Sequence, residues 1–333
     1  MSLRSYLQLF RAQTAPATVF SLVVPYLLAG GRDAFTFAAL FALGHLLHFF
    51  SFGHNSLMDY WHDLKDPSKR HHPLPSGAIR LEDAHALIHS GLAATLALLA
   101  TLLWFKSVNP ALSLAFALMY VVLGHAYNDG LDHYAKHSWI PISLCFTALV
   151  GAGWSTAGGL REEVFMLLAW AFLTVLFQIA YEGNLKDLWN PAEKYNLLRR
   201  WAVFNEKGEP LGLHPAVSDF FTSVRLVANT FALAYLAVKL TAGMEAYNIW
   251  AVLVLLLATS AVEMWAVLSM ALKARKITNR QRLLNLMGIA EAFEFFRLVS
   301  LLGVLGVPLI AYGLAWFVSA NRLLWGTRFG PKV

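Results

Sequence analysis

Nine stretches of the chain, at about 13–31, 35–60, 84–105, 110–127, 138–158, 163–183, 217–240, 247–272 and 284–319, are strongly apolar. Each approaches or exceeds the roughly 20 residues that cross a bilayer as a helix. In hydrocarbon every backbone N–H and C=O must be satisfied within its own segment, so such stretches fold as helices. The pattern reads as an all-α, polytopic membrane bundle of about nine transmembrane helices. No Ser/Gly linker interrupts it, so residues 1–333 are expected to form a single transmembrane domain. The last stretch is long enough to tilt or to break near Pro308. Charged residues are 14% against 58% hydrophobic, which argues against a disordered chain, a nucleic-acid-binding protein or an ordinary soluble enzyme. The single cysteine, Cys145, rules out an internal disulfide.

Positive charge is distributed unevenly. The N-terminus and the loops after spans two, four, six and eight, with the adjoining helix ends, carry 19 of the 26 Lys and Arg residues. Only Arg32, Lys106, Arg161, Lys239, Arg322, Arg328 and Lys332 fall on the other side. Because positive loops resist translocation, the rich face reads as cytoplasmic. The N-terminus is then inside and, with nine spans, the C-terminus outside. Arg4 and Arg11 precede the first span without a cleavage site, so that span reads as a retained helix. The two longest loops, about 64–82 and 184–216, lie on the rich face.

At the end of span two stands Asn55-Ser-Leu-Met-Asp59-Tyr-Trp-His-Asp63. Positions i, i+4 and i+8 share one face of a helix. An amide and two carboxylates at the edge of the hydrocarbon are expensive to keep there. Hard oxygen ligands at this spacing suit Mg²⁺, which shares its shell with phosphate oxygens. Pro67 should end this helix at Asp66. A stiff basic loop follows, Lys69-Arg70-His-His72-Pro73-Leu-Pro75-Ser-Gly77. The alternative reading of the stripe is a helix end with ordinary solvated carboxylates.

A second segment stands at the same end of span six: Glu182-Gly-Asn184-Leu-Lys186-Asp187-Leu-Trp189-Asn190-Pro191-Ala-Glu193. Asn184, Asp187 and Trp189 echo Asn55, Asp59 and Trp61, and Asn128-Asp129-x-x-Asp132 after span four is a weaker third echo. Acidic clusters facing each other across a bundle can hold metal ions between them. Lys69, Arg70, Lys186, Arg199 and Arg200 stand close enough in sequence to neutralise an anionic group beside that metal.

On these features the chain resembles the UbiA superfamily of intramembrane prenyltransferases. The resemblance rests on the nine expected spans, the Asn55/Asp59/Asp63 motif with its Pro73-Leu-Pro-Ser-Gly77 sequel, and the second Asp-containing motif after span six. It implies a bundle with a cytoplasm-facing cavity where Mg²⁺ and a polyprenyl diphosphate donor bind, the prenyl tail leaving toward membrane lipids. The acceptor is hydrophobic, an aromatic ring or a lipid phosphate. Carried over residue by residue, the resemblance makes Asp59, Asp63 and Asp187 catalytic. Asn55, Asp59, Asp63, Glu182, Asn184 and Asp187 become metal ligands, and Asn55, Lys69, Arg70, Lys186, Asn184 and Tyr127 substrate contacts. The sequence departs from the family pattern twice. His72 stands where an Arg is common, and only Asp187 is an unambiguous aspartate of the second motif, so Glu182, Asn184, Asn190 and Glu193 must supply the rest. A branch of the same fold that transfers a phosphoribosyl group to a polyprenyl phosphate is the alternative within the family.

Other features read as packing. His45 and His48 share a face of span two, and His85 and His89 a face of span three. Neither pair has a third ligand in sequence, so both read as polar packing or cavity lining. Glu294 and Arg297, three residues apart, can pair on one helix; alternatively Arg297 or Arg225 reaches a phosphate. A transporter is the rival class. It fits poorly, because the charges crowd one face and not the midplane where transporter sites lie.

Overall fold

The computed structural model describes residues 2–65, 69–131, 137–189, 196–241 and 246–326. The helices in chain order are α1 (Leu3–Leu9), α2 (Ala15–Leu28), α3 (Ala34–Met58), α4 (Tyr60–Asp63), α5 (Leu81–Lys106) and α6 (Pro110–Ala126). They continue with α7 (Trp139–Ala157), α8 (Glu162–Phe177), α9 (Pro215–Thr241), α10 (Ala246–Arg275), α11 (Arg280–Ser300) and α12 (Gly306–Trp325). Eight helical stretches among the described residues are long and apolar enough to cross a membrane, and Ala12–Leu28 is a shorter apolar one. The protein is an integral membrane helical bundle.

Several boundaries are set by the chain itself. The Asp33 carboxylate accepts from Thr36 N at 3.0 Å to start α3. Asn109 Oδ1 caps α6 at Leu112 N, with Pro110 in the first turn, where its missing N–H costs nothing. Asn279 does the same for α11 through Arg282 N at 2.9 Å. α2 runs through the middle of the bundle, with Val19, Phe20, Leu22 and Val23 fully buried. Its neighbours approach on small residues: a Cβ on Gly153 of α7 would stand 2.2 Å from the Leu22 carbonyl oxygen. Without a hydrophobic force between helices in lipid, such close backbone packing supplies much of the association.

The stretch expected as a ninth span, 284–319, is two helices. The break expected near Pro308 falls instead at Leu301–Leu305, where Gly303 takes a φ of 59° and Val304 N donates to Asn248 Oδ1 at 3.3 Å. A Cβ at Gly303 would meet that oxygen at 2.0 Å, so glycine is required here. Pro308 sits harmlessly in the first turn of α12. The turn sends α12 back across the bundle. Arg4 Nη2 and Gln8 Nε2 both donate to the Leu324 carbonyl at 2.8 Å, and Trp325 packs against His71 and His72. The described chain therefore ends on the face where it begins, and a C-terminus on the opposite face does not follow through residue 326. Arg322 joins the basic face, while Lys106 and Lys239 stay opposite, against Phe35 and Glu163. Arg328 and Lys332 lie outside the described residues.

α11 carries charge into the bundle. Arg225 of α9 bonds Glu263 of α10, Glu294 of α11 and, at 2.9 Å, Thr174 Oγ1 of α8; Arg297 pairs with Glu263 and Gln178 with Glu294. Glu294 and Arg297 are thus held by other helices, and the arginines are engaged within the bundle. This ionic knot ties four helices at membrane depth, where unpaired charge would be prohibitive.

Candidate active site

A cavity of about 790 Å³ opens at the basic end of the bundle. Its polar wall draws on separate parts of the chain: Arg11 from the α1–α2 junction, Asp63 from α4, Lys69 and His72 from the following loop, and Gln178, Glu182, Lys186 and Asp187 beyond α8. Its apolar wall includes Phe20, Leu284, Phe295 and Phe317.

The first motif keeps its helical register through the α3–α4 junction. Asp59 N donates to Asn55 O and Asp63 N to Asp59 O, both at 2.9 Å, so the i, i+4, i+8 stripe is continuous. Asp59 and Asp63 are both buried. Arg11 Nη2 stands 3.6 Å from Asp59 Oδ2, and Lys69 Nζ 2.8 Å from Asp63 Oδ1. Burial raises the Asp63 pKa above the ordinary carboxylate range, against the pull of Lys69. Burial works against the Lys69 ammonium, but the Asp63 carboxylate, with Asp187 and Asp59 beyond it, holds its pKa above the usual lysine value. His72 is pushed down to about 3 by burial and by Arg11 and its other cationic neighbours, so its imidazole is neutral at physiological pH. Asn55 is half-buried behind the cavity wall, its Nδ2 donating to Asn128 Oδ1 at 3.4 Å. Tyr127 is half-buried in the wide turn after α6, away from the cavity lining, and Arg70 is exposed. Asp66, Pro67 and Asp132 lie outside the described residues.

The second motif follows α8 through a widened, π-type turn, Gln178–Gly183. Glu182 is 2% exposed, lines the cavity, and has no hydrogen-bond partner among the described residues on either carboxylate oxygen. Asp187 is half-buried and lines the cavity beside Lys186. Asn184 faces elsewhere: its Nδ2 donates to Ile179 O at 2.9 Å and its Oδ1 accepts from Leu197 N at 2.6 Å, stitching the loop. Asn190, Pro191 and Glu193 lie outside the described residues. A two-stranded hairpin, β1 (Ala202–Phe204) and β2 (Pro210–Leu213), closes the loop and docks on the α10–α11 turn through Ile277 N to Leu211 O at 2.8 Å.

The donor set fits a hard divalent cation. Asp63, Glu182 and Asp187 line one cavity with Asp59 adjacent, all are oxygen ligands, and the buried Glu182 carboxylate lacks a partner among the described residues. Three charged lining residues had no place in the site expected from the sequence. Arg11 counted only as topological charge; it reaches the cavity because the chain breaks there, with Arg11 itself in the left-handed region at φ 47°. Arg280 lies over the Trp189 ring at 4.9 Å, and Glu291 enters from α11. No local signal marked them, because helix crossing alone brings them in. His48 also lines the cavity, its Nε2 donating to Arg11 O at 3.1 Å and its Nδ1 accepting from Thr18 at 2.8 Å, and His45 bonds Tyr312.

The profile of the UbiA prenyltransferase family matches residues 17–289. Among solved structures, a UbiA homologue from Archaeoglobus fulgidus bound to GPP and Mg²⁺ is similar at a TM-score of 0.61 and 15% identity, over 92% of this chain and 99% of that one. A digeranylgeranylglyceryl phosphate synthase aligns at 0.59 and 17% identity, over 93% and 99%. The apo form of a UbiA homologue from Aeropyrum pernix K1 aligns at 0.55 and 16%, over 85% and 94%. At these identities the likeness is one of fold. No curated protein matches the chain significantly.

Proposed function

Because the chain belongs to the UbiA prenyltransferase family, we propose that it moves a polyprenyl group from a polyprenyl diphosphate to an aromatic or lipid-type acceptor held in the cavity. One observation carries this reading: two acidic segments more than a hundred residues apart meet at one cavity, with Lys69 set among their carboxylates. The A. fulgidus relative, solved with GPP and Mg²⁺, supports the choice of donor and ion.

In this proposal Asp59, Asp63, Glu182 and Asp187 hold Mg²⁺, with Asn55 behind the first pair. When bound, the metal supplies the positive charge that offsets the diphosphate and favours its departure. Lys69, Arg11 and Lys186 bind the diphosphate oxygens from the protein side. Asp63 aims Lys69, and neutral His72 contributes a hydrogen bond without adding charge. The apolar wall takes the prenyl chain. Aromatic faces such as Phe295 stand along that wall to stabilise positive charge growing on the allylic carbon, at about 2 kcal/mol or less for each desolvated ring. Asn184 shapes the loop that presents Asp187 and Lys186. The basic face is cytoplasmic, because positive charge resists export.

The test is reconstitution in liposomes with a chain-labelled polyprenyl diphosphate, Mg²⁺ and candidate acceptors. A product carrying the labelled chain, formed with release of diphosphate, is expected. In a parallel reaction given labelled polyprenyl monophosphate and phosphoribosyl diphosphate, formation of a phosphoribosylated polyprenyl phosphate with release of diphosphate would assign the alternative branch. Full turnover in metal-free, EDTA-treated enzyme would overturn the proposed ligand set.

A further inference from the structure

A second cluster of ligand-type side chains stands outside the cavity, where α3, α5 and α6 meet. His54, on α3, is 3% exposed and is not part of the cavity lining. Its Nε2 stands 3.5 Å from Asp129 Oδ1, and His125 Nε2 stands 2.9 Å from Asp129 Oδ2. The two imidazoles are stacked, centroids 4.8 Å apart. One ligand atom from each of the three residues lies within 4.8 Å of the other two. His89 of α5 packs edge-on against His54 at 5.7 Å and stacks on His85 at 5.4 Å.

We propose that His54, His125 and Asp129 form a binding site for a zinc-class divalent cation, separate from the oxygen-rich cavity. The chemistry differs from that of the acidic motifs: two imidazole nitrogens and one carboxylate suit Zn²⁺ and its transition-metal neighbours, whereas Mg²⁺ prefers oxygen alone. The spacing is right. Ligands of a tetrahedral ion with bonds of about 2.1 Å stand roughly 3.4 Å apart, and the two imidazole nitrogens stand 3.5 and 2.9 Å from the two Asp129 oxygens, one nitrogen to each oxygen. A water would complete the shell. The surroundings offer the support that metal-bound histidine needs. The Asn128 amide lies 3.2 Å from His54 Nδ1, and turning it and its partner Asn55 end for end lets Asn128 accept from that nitrogen once Nε2 is on the metal while keeping the Asn55 contact. Asn128 also reaches Asn55, so the cluster joins the back of the first acidic motif. In sequence His85 and His89 lacked a third ligand. The partners come from α3 and from the turn after α6, which only the packing of three helices brings together.

The test uses the full chain purified with a tag free of histidine, titrated calorimetrically with Zn²⁺ in saturating Mg²⁺. One Zn²⁺ per chain is expected. His125→Gln and Asp129→Asn, both at exposed positions that folding tolerates, should each weaken binding at least about tenfold, while Asp63→Asn leaves it unchanged. Co²⁺ should give the intense visible bands of a tetrahedral site in the wild type and lose them in His125→Gln. Undiminished Zn²⁺ binding in the His125→Gln/Asp129→Asn double variant would overturn the site. Loss of Zn²⁺ binding in Asp63→Asn, or its displacement by Mg²⁺, would overturn it equally by placing the ion in the cavity.

Discussion

Lys69 Nζ lies 2.8 Å from Asp63 Oδ1, and Asp187 of the second acidic motif is among the carboxylates that act on the same ammonium. One side chain from the loop after α4 thus stands among both motifs. The position suits it to bind an anion shared by metal ions on either side.

Removing this ammonium should therefore weaken donor binding more than removing its neighbour in sequence. Lys69→Met is expected to raise KM for the diphosphate at least about tenfold, the scale of one hydrogen bond to a charged group. Arg70→Met, at an exposed position outside the cavity lining, should change it less than twofold. Steady-state kinetics in liposomes compares the two; equal effects would move the diphosphate contact away from Lys69.

Asp59→Asn, Asp63→Asn and Asp187→Asn should each lower turnover about 100-fold or more, comparable with losing a main electrostatic stabiliser. Excess Mg²⁺ should restore part of the loss in Asp187→Asn. The check is turnover against Mg²⁺ concentration in variants that elute as the wild type does from size exclusion.

Glu182 offers a separation of activity from stability. Its carboxylate is buried and has no partner among the described residues, an arrangement that costs stability unless a cation is bound. Glu182→Gln should raise the metal-free melting temperature while reducing Mg²⁺-dependent activity and Mg²⁺-induced stabilisation. A variant with unchanged melting and full activity would remove Glu182 from the metal site.

The ionic knot predicts a cost of another kind. Arg225→Met leaves Glu263 and Glu294 without their shared partner and should destabilise the bundle by about 3–5 kcal/mol. Thermal unfolding in detergent measures this. Adding Glu294→Gln to Arg225→Met should recover part of the loss, because Glu263 keeps Arg297 as its partner and no unpaired carboxylate then remains.

Topology can be read by cysteine labelling against a quiet background, since the native Cys145 is buried. Single cysteines at Arg70, Arg200 and Gly326 should be protected from an impermeant reagent in intact cells, and one at Arg161 should react. Labelling of Gly326 but not Arg70 from outside would contradict the return of α12.

Long apolar stretches made the membrane bundle legible from the sequence, because hydrocarbon leaves the backbone no alternative to helix. The Asn55–Asp59–Asp63 stripe was equally legible, since a helical register is a local property and survives the junction between α3 and α4. The sequence alone thus determined the fold class, the polar face and the first acidic motif. Tertiary structure decided the rest. The reversal at Gly303 depends on its contact with Asn248, 55 residues earlier. Arg11 reaches the cavity, and His54 meets His125 and Asp129, only because separate helices cross there. Asn184, an apparent ligand by its spacing, is committed instead to Ile179 and Leu197. Periodicity along one helix specifies which residues share a face. Which face meets which across the bundle depends on packing between segments far apart in the chain.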